Sequence, residues 1–317
     1  MNNNHQSLQE LLQIQHPIIM APMFLVSNVK MSIAGMESGV ATCIPALNYR
    51  NTELLKEAIL ALKAAKPKGG AFGFNLIVNK SNIKYHEQLE VICKYGADFI
   101  ITSLGSPEET IKMAKQKGIK VFCDVVNLEF AKKVELLGCD AVIAVNNLAG
   151  GHRGNLSPEE LIPLLVKNCN IPVISAGGVG NKSELDKMIK LGAIGVSVGS
   201  PFIAAEEAEI SEEYKQACVK YGEKDIVVTE KISGTPCTVI NTDYVKKIGT
   251  KQTWIETVLN KNKRLKKWVK MLRFMIGTSA VTKAATKATY KTIWVAGPSI
   301  EHTKKIESVT EIVKRFV

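Results

Sequence analysis

The sequence predicts an α/β fold, a (β/α)8 barrel of the TIM type, from three observations. Short apolar segments alternate with longer amphipathic ones from residue 17 to about residue 205, and eight apolar segments can be counted. Most of them are uninterrupted by polar residues, which is typical of parallel strands covered on both faces. The glycine-rich turns come after the sixth, seventh and eighth segments, where such a barrel places ligand-binding loops.

The eight predicted strands repeat at intervals of roughly 25 residues and cover residues 17–21, 40–43, 70–76, 98–102, 120–124, 141–145, 172–176 and 195–199. A doubly wound α/β sheet has a similar alternation over five or six strands. That fold, however, places its glycine fingerprint after the first strand. Here the first strand ends in Ala21-Pro22-Met23, so the sequence favours the barrel.

Helix boundaries can also be recognised in the sequence. Ser106 and Ser157 are each followed by Pro-Glu-Glu, which supplies a capping hydroxyl, a proline at the first helical position and acids in the first turn. Asn181 begins a weaker version of the same signal. Glycines that suit a left-handed cap follow four predicted helices, at Gly96, Gly118, Gly138 and Gly192.

Composition excludes several classes of protein. With 46% hydrophobic and 22% charged residues, the chain of 317 residues has the composition of a globular protein. It contains no apolar run of the roughly 18 residues that a membrane-spanning helix needs. Residues 1–10 are polar and lack the basic-then-apolar order that is typical of a secretory signal. Its seven cysteines form no Cys-x-x-Cys pair and predict buried free thiols, without a disulfide frame or metal site. We therefore expect a cytoplasmic protein.

The pattern changes after residue 206. We predict that residues 12–206 and 293–317 form the barrel and that residues 207–292 form a small helical domain inserted after strand eight. Such an insertion would lie over the carboxyl-terminal mouth of the barrel. Within it, residues 254–276 fit one amphipathic helix.

Residues 246–291 carry the positive charge of the chain. They contain 13 Lys or Arg and a single acid, Glu256, which accounts for the whole net charge of +11. The simplest interpretation is a solvated helix face; an acidic carrier protein or an anionic membrane surface are the alternative partners. The sequence has neither a groove-reading motif nor stacking aromatics beside this segment, so we expect no nucleic acid as a partner.

Two glycine-containing turns predict a phosphate site. Gly177 and Gly178 follow strand seven, and the end of strand eight contains Ser197, Val198, Gly199 and Ser200. Glycines let backbone N–H groups approach an anion, and the loops after strands seven and eight commonly bind phosphate in such barrels. The phosphate would belong to FMN or to a phosphorylated substrate.

The segment Ala149-Gly150-Gly151-His152-Arg153-Gly154 follows strand six. Its imidazole can exchange a proton near neutral pH, and the glycines on either side suit an accessible loop at the barrel mouth. The other four histidines fall in the polar tail, below the barrel, on an outer helix and in the returning segment: His5, His16, His86 and His302. We therefore predict that His152 is the catalytic residue.

Together these segments resemble the nitronate monooxygenase family, formerly called 2-nitropropane dioxygenases. The resemblance rests, in chain order, on Ala21-Pro22-Met23, Phe72-Gly73-Phe74-Asn75-Leu76, the segment from Ala149 to Gly154, and Ala176-Gly177-Gly178. It covers about residues 15–235 and returns at 295–297. It implies FMN at the barrel mouth without a metal, and oxidation of alkyl nitronates by O2 to a carbonyl compound and nitrite.

The same resemblance assigns roles by position. The cofactor-binding residues it implies, with those of the glycine turns, are Pro22, Met23, Asn75, Gly150, Gly151, Gly177, Gly178, Ser197, Val198, Gly199 and Ser200. His152 would bind the nitro oxygens of the substrate or take its α-proton. The expected partners are a small-molecule substrate and O2, in a monomer or a homodimer.

A second family shares the Gly-Gly-His element, the flavin-dependent enoyl-acyl-carrier-protein reductases, which use NAD(P)H. Their segment commonly reads Glu-Ser-Gly-Gly-His-Ile-Gly, and Ala149 and Arg153 favour the monooxygenases instead. Both families usually have Gln seven residues and Glu four residues before the histidine. Here Val145 and Leu148 occupy those positions, and we consider neighbouring Asn146 or Asn147 as the source of the missing amide.

Overall fold

The computed structural model describes residues 6–79, 82–231, 235–251 and 293–317. Eight parallel strands close into a barrel, because the last one pairs with the first. This confirms the predicted (β/α)8 barrel, and each predicted strand overlaps an observed one. The barrel strands are β1 Ile18–Met20, β2 Ala41–Pro45, β3 Ala71–Ile77, β4 Phe99–Ser103, β5 Lys120–Val125, β6 Ala141–Val145, β8 Val173–Ala176 and β9 Gly195–Val198. The intervening β7 (Gly151–His152) lies outside the barrel.

Helices connect the strands along the outside of the barrel. Ser157 forms the predicted capping box with Glu160, and Asn181 caps the next helix. The helix predicted to begin after Ser106 instead begins at Glu108, with no side-chain cap. The described helices are α1 Leu8–Leu12, α2 Val29–Glu37, α3 Thr52–Ala65, α4 Tyr85–Tyr95, α5 Glu108–Lys115, α6 Leu128–Leu137, α7 Pro158–Asn168, α8 Lys182–Lys190, α9 Glu212–Lys220, α10 Asp243–Ile248 and α11 Val309–Lys314.

The barrel interior is filled by every second residue of the strands. Phe99 and Phe122 stack inside it with ring centroids 5.3 Å apart, while their chain neighbours pack outward against the helices. Gly73 leaves room for this pair, since a Cβ there would lie 2.6 Å from the ring of Phe99. Below them, Leu8 and Leu12 of α1 close the bottom of the barrel. The apolar floor leaves the opposite end as the place for polar chemistry.

The same alternation places polar groups at the carboxyl ends of three neighbouring strands. Ser103 lies two residues after the inward-facing Ile101, and Asp124 lies two residues after the inward-facing Phe122. Asn75 lies two residues before the end of β3 and pairs in register with Ile101. Because inward-facing side chains recur every second residue, all three polar groups face the interior near the mouth.

A small antiparallel sheet lies over the mouth. Its strands β10 (Ile226–Thr229) and β11 (Cys237–Ile240) pair with each other, and β11 also pairs with β7. Neither strand was predicted from the sequence, which indicated a small helical domain there. The remaining residues 252–292, which include the predicted basic helix at 254–276, lie outside the described residues. The division into a barrel at 12–206 and 293–317 and an insertion at 207–292 therefore stays a prediction.

The final segment returns to the barrel beside β9. Phe316 stacks on Phe202, with ring centroids 6.3 Å apart, and Glu307 forms a parallel bridge with Ala205. Near residue 295 the chain also contacts the covering elements: Tyr214 of α9 donates a 2.6 Å hydrogen bond to the carbonyl of Val295. No helix in the described part of the chain is long and apolar enough to cross a membrane.

Candidate active site

A pocket of about 970 Å³ opens at the carboxyl ends of the barrel strands. Pockets for cofactors and small ligands are typically roughly 300–1,000 Å³, so this one has room for a large ligand. All twelve site residues predicted from the sequence line it, although the role of each stays a prediction. They are Pro22, Met23, Asn75, Gly150, Gly151, His152, Gly177, Gly178, Ser197, Val198, Gly199 and Ser200.

The two predicted phosphate turns present free backbone donors. Gly177 and Gly178 both have a positive φ, at 110° and 76°. Their N–H groups and that of Gly199 have no protein hydrogen-bond partner in the described residues. Successive unpaired N–H groups in a turn form an anion-binding concavity. This part of the pocket therefore suits the phosphate of a nucleotide cofactor.

Glycine is required here because three loops pack against one another. A Cβ on Gly177 would lie 2.5 Å from the backbone nitrogen of Ala149, and a Cβ on Gly150 would lie 2.8 Å from that of Gly297. Gly297 in turn donates a 2.8 Å hydrogen bond to the hydroxyl of Ser200. The loops after β6 and β8 and the returning segment thus form one packed wall of the pocket.

His152 is held on a short strand beside this wall. It pairs with Cys237 of β11, while the hydroxyl of Thr238 donates a 2.8 Å hydrogen bond to the carbonyl of Ala149. The imidazole is accessible from the open pocket, yet the surrounding protein lowers the pKa of His152 below its ordinary value of 6.5 by disfavouring the charged form. The ring can be both accessible to a ligand and surrounded by protein atoms, because it lines the wall of the pocket. At neutral pH it is therefore uncharged.

This lowered pKa predicts the acid limb of the pH profile. If the neutral imidazole is the active form, kcat/KM should hold down to pH 6.5 and fall only as the pH drops through the lower pKa of His152. The profile of the His152→Gln variant should lack that limb. A limb at or above pH 6.5, or one that survives in the variant, would contradict the assignment.

The structure contradicts the interpretation that Asn146 or Asn147 supplies the missing amide, since neither lines the pocket. The Asn146 side chain connects two loops: it donates to the carbonyl of Gly177 at 3.0 Å and accepts from the N–H of Leu148 at 2.8 Å. The backbone carbonyl of Asn147 accepts a 2.7 Å hydrogen bond from Arg153. Both asparagines therefore support the loops.

Ser103 and Asp124 are two of the polar pocket residues that were not predicted from the sequence. The Asn75 amide nitrogen donates to the carbonyl of Ile101 at 3.2 Å and to the Ser103 hydroxyl at 2.8 Å, and that hydroxyl donates to Asp124 at 2.5 Å. Part of the Asp124 carboxyl faces the pocket, but it lies deep in the barrel. Burial raises its pKa from 3.8 to about 6, partly opposed by the Ser103 hydrogen bond.

Asp124→Asn is expected to stabilise the protein at pH 8. A carboxyl whose pKa is raised on folding favours the native state below pH 3.8 and loses that contribution as the pH rises through about 6. This rise in pKa corresponds to at most about 3 kcal/mol of lost stability. We expect the substitution to raise the free energy of unfolding by ~1–2 kcal/mol, because part of the carboxyl faces the open pocket. Denaturant unfolding at pH 8 and pH 4 should show the increase in the free energy of unfolding only at pH 8. Equal increases at both pH values would show that the buried charge of Asp124 is not the cause.

The pocket also has an extension lined by residues of α6 and of the loop after β4. Apolar side chains line this extension, among them Leu104, Pro107, Phe130, Val134 and Leu137. Leu104 and Phe130 are each 48% exposed there, so their apolar surface is available to a ligand. Lys133 also lines the extension and pairs with Glu129 at 2.6 Å. The apolar side chains of this lobe suit an apolar part of a substrate. The described residues contain no cluster of three or more potential metal ligands.

Comparison with known proteins adds independent findings. The family model described as nitronate monooxygenase matches residues 73–317. A protein of Rhodococcus jostii (strain RHA1), (3aS,4S,5R,7aS)-5-hydroxy-7a-methyl-1-oxo-octahydro-1H-indene-4-carboxyl-CoA dehydrogenase, is 27% identical over 248 residues, covering 78% of this chain and 69% of its own. A probable nitronate monooxygenase of Staphylococcus aureus (strain MSSA476) is 27% identical over 289 residues, covering 77% and 81%. The solved structure of FabK from Thermotoga maritima superposes with a TM-score of 0.84 at 26% identity, covering 98% of this chain and 94% of that one.

Proposed function

Because the chain belongs to the nitronate monooxygenase family and is a flavin-dependent oxidoreductase, we propose that it binds FMN and oxidises alkyl nitronates with O2. The products are a carbonyl compound and nitrite. The observation that carries this proposal is the position of His152, which lines the same pocket as the free N–H groups of both glycine turns.

The residues of the pocket fit FMN. The unpaired N–H groups of Gly177, Gly178 and Gly199 would hold its phosphate. Met23 and Asn75 would contact its ring system from the ends of β1 and β3. When bound, a flavin supplies the redox chemistry, while the protein supplies binding, orientation and electrostatics.

His152 would orient the nitronate. A nitronate is already a carbanion equivalent, so the site needs no strong base, and the neutral imidazole suits this substrate because one ring nitrogen carries a hydrogen. That N–H can donate a hydrogen bond to a nitro oxygen, whose partial negative charge it stabilises. The apolar lining of the pocket reduces the access of bulk water once a ligand is bound.

Nitrite release tests the proposal. We expect the FMN-loaded protein to convert propionate 3-nitronate with consumption of O2 and formation of one nitrite per nitronate. FMN alone serves as the control for uncatalysed oxidation. If nitrite forms no faster with the protein than with free FMN, the proposed reaction is wrong.

A second function is favoured by the apolar extension beside α6. It would accommodate the acyl part of a thioester, and the Rhodococcus relative is named as a dehydrogenase of a CoA ester. On this alternative the protein is an NAD(P)H-dependent enoyl reductase, and the basic residues at 246–291 would bind an acidic carrier protein. Turnover of a crotonyl thioester with NADH or NADPH would support this function. Failure of both dinucleotides to reduce the flavin would exclude it.

A further inference from the structure

We propose that Asp124 is a positioning residue for the flavin: through Ser103 it holds the Asn75 amide with its oxygen toward the pocket. The inference rests on the proposed flavin site and adds to it two residues, Ser103 and Asp124. It concerns which of Asn75 and Ser103 donates the hydrogen bond between them, and the neighbouring donors and acceptors determine this.

The first step is the orientation of the Asn75 amide. The carbonyl of Ile101, 3.2 Å away, can only accept, so the Asn75 atom beside it must be the amide nitrogen. The second hydrogen of that nitrogen goes to the Ser103 hydroxyl at 2.8 Å. Both amide hydrogens are thus used inside the protein. The amide oxygen has no protein partner among the described residues, and Asn75 lines the pocket.

The second step is the role of Asp124. The Ser103 hydroxyl has one hydrogen, and an ionised carboxylate can only accept. The 2.5 Å contact therefore directs that hydrogen to Asp124 and leaves the Ser103 oxygen to accept from Asn75. Without this acceptor the hydroxyl hydrogen could point at Asn75 in place of the amide hydrogen, and the contact with the Ile101 carbonyl alone would then hold the amide. Asp124 removes that alternative, so the pocket presents a fixed acceptor.

The electrostatic setting supports a function beyond folding. No described Lys, Arg or His forms an ion pair with Asp124. The neighbouring Cys43 thiol is uncharged at neutral pH, because burial and the Asp124 carboxylate raise the pKa of Cys43. The carboxyl therefore costs stability at neutral pH without the compensation of a cation. The oxidised flavin ring has one N–H donor, at N3, and a preorganised acceptor binds such a group without the free-energy cost of orienting the amide.

FMN affinity in four variants tests the proposal. Ser103→Ala and Asp124→Leu break the chain, whereas Asp124→Asn can still accept from Ser103 through its amide oxygen. Ser32→Ala is the matched control, because it removes a buried hydroxyl of α2 that forms no hydrogen bond in the described residues. We expect the first two to weaken FMN binding about tenfold, as for the loss of one oriented hydrogen bond. Asp124→Asn should stay within about threefold of wild type, and Ser32→Ala should be unchanged.

The pH dependence separates positioning from a merely structural role. Wild-type FMN affinity should weaken as the pH falls through about 6, where Asp124 takes up a proton and gains a hydrogen to donate. Because the FMN phosphate also titrates near pH 6, the step should be smaller, rather than absent, in the Asp124→Asn variant. The visible flavin spectrum should change in Ser103→Ala and Asp124→Leu alone. Wild-type affinity and spectrum in both chain-breaking variants would overturn the inference. A wild-type protein that binds no FMN would overturn the flavin site itself, and this inference with it.

Discussion

Replacement of His152 by alanine is expected to reduce turnover about 100-fold or more while FMN remains bound. A positioned imidazole that orients the substrate or moves a proton contributes about 10²–10⁴-fold to a rate. FMN should remain because the predicted phosphate site consists of backbone N–H groups of other loops. The loop itself should keep its conformation, since the Thr238 hydroxyl and the backbone of β11 bind only backbone atoms of the loop.

The measurement for this variant is steady-state turnover together with the flavin content of the purified protein. His86→Ala is the matched control, because His86 is an exposed histidine on α4 that pairs with Glu109 away from the pocket. Turnover in the control should be unchanged. Unchanged turnover in His152→Ala would show that the residue is structural, whereas loss of flavin would show that it holds the cofactor.

Gly177→Ala is expected to abolish FMN binding and to destabilise the protein by about 3 kcal/mol or more. Its φ of 110° is one that L-residues rarely adopt, and the added Cβ would lie 2.5 Å from the backbone of Ala149. Left-handed backbone costs roughly 1–2 kcal/mol, and overpacking adds typically 1–3. The loop must move to relieve the contact, and the N–H groups of the predicted phosphate site move with it.

Gly118→Ala is the control that separates the two costs. Gly118 also has a positive φ, 69°, but an added Cβ there would meet nothing within 4 Å. We expect Gly118→Ala to lower the free energy of unfolding by about 1 kcal/mol and to leave the FMN affinity unchanged. Denaturant unfolding and FMN titration of both variants provide the comparison. Equal effects of the two substitutions would show that the packing of the loops after β6 and β8 is unimportant.

The sequence predicts the barrel well because its signals are local. Each barrel strand is a short apolar run, and helix starts such as Ser157 and Asn181 depend on side chains within one turn. The sheet over the mouth depends on distant partners instead. Ile226–Thr229 and Cys237–Ile240 are as short as loop segments, and the partner of β11, Gly151–His152, lies far away in the chain. No local pattern identifies such a pairing.

The candidate site divides in the same way. Glycines and a histidine in short motifs identify the loops, and the barrel brings all of these residues to one pocket. Ser103 and Asp124 become visible only once the inward face of each strand is known. The available signal is a polar residue two positions after an inward apolar one, as in Phe122-Cys123-Asp124. The direction of the Asn146 amide could not be predicted, because it depends on the loop that contains Gly177.

An anaerobic stopped-flow experiment tests the central claim most directly. The FMN-loaded protein is mixed without oxygen with propionate 3-nitronate, NADH or NADPH, and the flavin absorbance is followed. We predict that the nitronate bleaches the flavin within seconds, more rapidly than either dinucleotide. Rapid reduction by NADH or NADPH with no reaction of the nitronate would contradict a nitronate-oxidising function and favour the reductase.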